Sequence, residues 1–97
     1  MSKEVYTVSI PNLPLPTTRK NRKLIDGVIK LIKKQDGFIA LSPEFPHGTI
    51  LFFETLNDAK RARNNLRVEL NAVGNYICKA EMEDDMSQVT IIDKVVG

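Results

Sequence analysis

The 97-residue chain carries 14 basic and 12 acidic residues for a net charge of +2. It is 42% apolar and 27% charged, the balance of a folded globule, which excludes a disordered or fibrous chain. That length supports one domain, able to bury about 60–65% of the surface it would expose unfolded. The longest apolar runs, residues 38–41 and 50–53, are too short for a membrane helix or a signal-peptide core, so no membrane partner is expected. A single cysteine, Cys78, excludes an internal disulfide and points to a reducing, cytoplasmic setting. With one histidine, one cysteine and no tryptophan, most catalytic and metal constellations are excluded, so no enzyme activity, metal or cofactor is expected.

Residues 5–10 alternate, with Tyr6, Val8 and Ile10 facing one way and Val5, Thr7 and Ser9 the other, the pattern of a half-buried strand. Pro11, Pro14 and Pro16 then forbid regular structure in the loop that follows. Thr17 and Thr18 offer N-cap oxygens for a helix over about residues 18–35. Leu24, Ile25, Val28, Ile29, Leu31 and Ile32 share one arc of that helix, and Gly37 stops it. Gly27, in its middle, costs about 1 kcal/mol relative to alanine and suits close packing.

Residues 38–42 and 49–54 read as two strands of an antiparallel hairpin, joined by a turn that holds Pro46, His47 and Gly48. Thr55 to Asp58 resembles a capping box for a second helix near residues 56–68, with Ala59, Ala62, Leu66 and Leu70 inward. Gly74 and Asn75 turn the chain into a strand at 76–82, whose Tyr76, Cys78, Ala80 and Met82 alternate inward. Residues 83–87 are a polar break, and 89–96 are a last β-prone segment. The order β-α-β-β-α-β predicts an α+β, ferredoxin-like domain over residues 1–86: a four-stranded antiparallel sheet with two helices on one face, plus a C-terminal β-prone tail at 87–97 that is a candidate extra strand.

Charge is unevenly placed. Arg19, Lys20, Arg22, Lys23, Lys30, Lys33 and Lys34 oppose a single acid, Asp26, on the outer arc of the first helix. Lys60, Arg61, Arg63 and Arg67 lie on the second, while Glu81, Glu83, Asp84 and Asp85 gather late in the chain. The acids lack an oxygen-ligand spacing for a divalent cation, His47 has no partner for metal or base chemistry, and Cys78 reads as core. Arg19, Lys20, Arg22 and Lys23 crowd the positive end of a helix dipole, where cations are unfavourable by a few tenths of a kcal/mol each. A bound anion would relieve that cost.

Residues 10–14, Ile-Pro-Asn-Leu-Pro, residues 53–62, Phe-Glu-Thr-Leu-Asn-Asp-Ala-Lys-Arg-Ala, and Gly74 ahead of the last strand together resemble the RNA recognition motif family over residues 5–82. The resemblance implies a ferredoxin-like scaffold and a nucleic-acid partner. The family's base-stacking positions fall on Ser9, Gly48 and Ile50, none aromatic. The expected function is therefore a non-catalytic module that binds RNA or single-stranded DNA in a non-standard mode. Arg19, Lys20, Arg22 and Lys23 would meet phosphates, with Asn12 and Lys79 near the strand ends and Phe52 as the stacking ring. The alternative is a protein-interaction or homodimerisation domain. Its open sheet face would carry Ile50, Phe52 and Ile77 beside Thr7, Ser9 and Lys79, extended by Val89 and Ile91 of the tail.

Overall fold

The alternation around residues 5–10 belongs to a longer strand, β1 (Ser2–Ile10), and the apolar arc after it to a helix, α1 (Arg19–Lys33). β2 (Phe38–Pro43), β3 (Thr49–Phe53), α2 (Leu56–Glu69), β4 (Ile77–Glu83) and β5 (Val89–Val96) complete the chain. The structure is a computed structural model and describes residues 2–10, 18–43, 49–70, 73–74, 76–85 and 87–96. Asn12, Thr17, His47, Gly48 and Asn75 lie outside the described residues.

Both helices start where a threonine hydroxyl replaces a missing backbone partner. Thr18 accepts from the Asn21 amide and Thr55 from the Asp58 amide, each at 3.1 Å. α1 ends where the Gln35 amide donates to the Ile32 carbonyl and its side chain to the Leu31 carbonyl. Gly37 follows with φ of 75°, a left-handed turn that reverses the chain into β2. A Cβ at Gly37 would come within 2.7 Å of the Asp58 Cβ at the start of α2. Gly37→Ala therefore combines an unfavourable φ with a backbone-fixed clash. It is expected to lower stability by about 2 kcal/mol or more, read as a shifted urea midpoint; an unchanged midpoint would contradict the turn geometry.

The chain is α+β, and its five strands form one antiparallel sheet in the order β2-β3-β1-β4-β5. The count corrects the expected four: residues 89–96 form a fifth strand against β4. Val8, Ile10, Leu51, Phe53 and Ile77 of the sheet pack with Val28 and Ile32 of α1 and Ala59, Ala62 and Leu66 of α2, so both helices cover one face. Phe38 meets Phe53 edge-to-face, with ring centroids 5.9 Å apart. The helices are tied at one end by Asn65 to Gln35 at 3.1 Å and by Arg61 to Asp36 at 3.3 Å.

The other sheet face has a core of its own. Val5, Phe52, Ala80 and Met82 are buried there, with Ile39, Ala40, Ile50 and Val89 against them. Bulges help build it. Phe38 pairs with Phe53 and Ala40 with Phe52, which leaves Ile39 as an extra residue in β2. Two further irregularities lie in the β4–β5 ladder. A bulge bends its strand and sharpens the local twist.

Three more expectations are corrected. β4 begins at Ile77, and Tyr76 is exposed ahead of it. Leu24, expected on the buried arc of α1, is 53% exposed. Gly27 gives no close packing: a Cβ there would meet nothing within 4 Å.

Candidate nucleic-acid interface

Directly opposed residues of an antiparallel pair share a sheet face. Val8 pairs with Ile77 and Tyr6 with Lys79, whereas Thr7 pairs with Cys78 and Val5 with Ala80. Ile77 and Lys79 therefore face the helix side, and Cys78, Ala80 and Met82 the opposite side. That inverts the expected assignment of β4. Ile77 is fully buried under the helices and offers nothing to a partner. Lys79 lies 3.1 Å from the Glu4 carboxylate, which holds its ammonium above the ordinary value, first by the hydrogen bond and then by charge. Phe52 is 5% exposed within the second core, so its ring has no free face on which a base could stack.

The alternative surface shrinks for the same reason. Ile50 and Val89 are partly buried against the second core. Of the residues singled out for it, Ile91 remains half exposed, next to Ile92 and Val95 of β5, which the sequence pattern had not distinguished. The β4–β5 turn is closed by Asp85, which accepts from the Ser87 amide at 3.0 Å. Hydrogen bonds from the Ser87 side chain and amide hold the Asp85 carboxyl below its usual value.

The basic residues divide by helix. On α2, Arg61 pairs with Asp36, and Arg67 donates to the Gly74 carbonyl at 3.4 Å. Those cations help hold the fold. On α1 and its C-cap, Arg19, Lys20, Lys23, Lys30, Lys33 and Lys34 are exposed, and none makes an ion pair with a described residue. Arg22 is exposed among them and has an intramolecular partner. The first turn of α1 holds no acid, so no acidic side chain of that turn offsets Arg19 and Lys20 at the positive end of the helix. The predicted quartet is thus brought together as one patch, continued along the helix by Lys30, Lys33 and Lys34. Phe52 and Lys79 do not join it.

A groove of about 300 Å³ runs beside this patch, lined by Lys23, Leu24, Gly27, Val28, Leu31 and Leu70. The interior glycine was its one legible signal in the sequence. Among the described residues no group of histidine, cysteine and acidic side chains could hold a metal ion, and no helix is long and apolar enough to cross a membrane. Comparison of the chain with protein-family models, curated proteins and solved structures finds no match.

Proposed function

We propose that this chain is a non-catalytic binding module, similar in scaffold to the RNA recognition motif, that holds RNA or single-stranded DNA by its phosphates on the outer face of α1. The observation that carries the reading is the row of six cations on that helix and its C-cap with no ion pair among the described residues, beginning at a helix end that itself favours an anion. The ferredoxin-like part of the reading is supported by the strand order β2-β3-β1-β4 and by both helices packing on one face, with β5 as an addition. A cytoplasmic setting is part of the same reading and is supported by the lone buried cysteine. The binding mode departs from stacking on the sheet, because Phe52 is buried and the stacking positions carry no rings.

The test is fluorescence anisotropy of labelled single-stranded RNA and DNA across a salt series. Arg19, Lys20, Arg22 and Lys23 are changed together to glutamine in the comparison protein. Each phosphate neutralised on a single strand adds about 0.7 to the slope of log affinity against log salt, so losing four contacts should flatten it by about 2–3. Absence of binding at low salt would overturn the reading. In that event an apparent mass that rises with concentration would support the second reading, a protein-interaction or homodimerisation surface on β5. The half-exposed Ile91 and Ile92 favour that alternative.

A further inference from the structure

We propose that the groove beside Gly27 seats an unstacked base, so that α1 selects single-stranded over duplex nucleic acid; this rests on the phosphate-binding reading above. Leu24, Gly27, Val28 and Leu31 of α1 form one side of the groove, and Leu70, just past α2, the other. Its walls are apolar apart from Lys23. Gly27 leaves the gap open, since an added Cβ would meet nothing within 4 Å. Among the described residues, none packs into the space over Gly27. Leu24 stands 53% exposed on the wall, although it belongs to the apolar arc of the helix. A volume of about 300 Å³ lies at the lower end of small-ligand sites.

The surrounding charge identifies the occupant. Lys20, Lys23, Lys30 and Lys34 lie three, four or seven residues from Gly27, the spacings that place side chains on one side of a helix. None has an ion pair among the described residues. The site thus offers cations around an apolar slot, which suits a ligand with repeated anions and a flat, weakly polar body between them. A single strand presents both, with its bases free to splay out. A duplex presents the same phosphates but keeps its bases stacked inside, so it can use the cations and not the slot. An acidic amphipathic peptide is the competing occupant, with less charge per unit length for the row of lysines.

The decisive pair of probes is a labelled oligouridylate strand and the same strand carrying abasic residues, which keeps the phosphates and removes the bases. A labelled duplex is the third probe. Gly27→Leu fills the slot from a position with open space around it and replaces a poor helix former with a good one. Melting curves confirm that the variant is folded, and Leu24→Ser, which removes an exposed wall, is the second variant. The wild type should bind the base-bearing strand about 5–10-fold more tightly than the abasic one, the lower range for one base contact because the slot has no aromatic ring. Both variants should lose that margin while keeping the salt slope of the wild type, since every cation is retained. Duplex binding should be unchanged by either substitution.

Equal affinity of the wild type for base-bearing and abasic strands would overturn the slot while leaving phosphate binding by α1 intact. So would a Gly27→Leu protein that binds the oligouridylate as tightly as the wild type. A wild type that binds none of the three probes at low salt would overturn the phosphate-binding reading itself, and a labelled acidic amphipathic peptide that binds the wild type and not Gly27→Leu would then assign the groove to a protein partner.

Discussion

Phe53→Ala is expected to remove about 3–5 kcal/mol of stability, the range for truncating a buried phenylalanine. Phe53 is fully buried in β3, opposite Tyr6 of β1 and Phe38 of β2, and its ring meets Phe38 edge-to-face. The substitution removes a large apolar surface and the aromatic pair together, and neighbours held by two ladders cannot collapse into the space. Each kcal/mol shifts the midpoint of a domain this size by about 4–8 °C, so thermal unfolding followed by circular dichroism should fall by at least about 12 °C. Because such a domain has only about 5–15 kcal/mol in total, the variant will be near the limit of folding. Val68→Ala on the exposed side of α2 is the control and should change stability by no more than about 0.5 kcal/mol. A Phe53→Ala protein that melts within a few degrees of the wild type would refute the central place of this ring.

Deleting residues 88–97 is expected to abolish cooperative unfolding of the monomer. This segment contains β5, whose Val96 packs against the main core and whose Val89 packs against the second. Its removal uncovers the outer edge of β4 along Ile77, Ala80 and Met82, with the backbone groups that β5 had paired. A newly exposed edge beside buried apolar side chains invites self-association. The truncated chain should therefore show aggregation or a broadened, probe-dependent transition. A truncated monomer that unfolds in one transition at the wild-type midpoint would show that residues 1–87 are self-sufficient and that β5 only decorates the sheet. The structure leads to the opposite expectation, since β5 joins both cores.

Much of the fold was legible in the residues. Thr18 and Thr55 announce helix starts because a hydroxyl ahead of an apolar arc satisfies amides that lack partners. Gly37 announces the stop because the chain must turn there with positive φ. Alternation in β1 correctly separates Tyr6, Val8 and Ile10 from Val5, Thr7 and Ser9, because a period-two pattern over six residues leaves one way to divide them into two sets. The cationic arc of α1 was legible for the same kind of reason, since seven basic residues at helical spacing can only gather opposite the apolar arc.

The face of β4 was not legible. Cys78, Ala80 and Met82 form the more apolar set, and the simplest placement puts them under the helices. The sheet instead has apolar clusters on both faces, and the helix side of β4 beyond Ile77 carries Lys79 and Glu81. A local pattern says which residues share a face and cannot say which face a helix covers. The buried state of Phe52 followed from that second cluster, and with it the loss of the sheet as a stacking platform.

By itself the sequence determined the order of helices and strands up to β4 and their approximate positions, which residues share a face within most of them, and that the positive charge lies on the helices, because these depend on backbone geometry and spacing within a few residues. Only the tertiary structure decided that residues 89–96 complete the sheet, that the second face is buried, that Arg61 and Arg67 of α2 have partners in the fold while the lysines of α1 have no ion pair among the described residues, and that Gly27 opens onto a groove. Each of these depends on which distant segments meet, and contacts between segments far apart in the chain leave no periodic trace in either one.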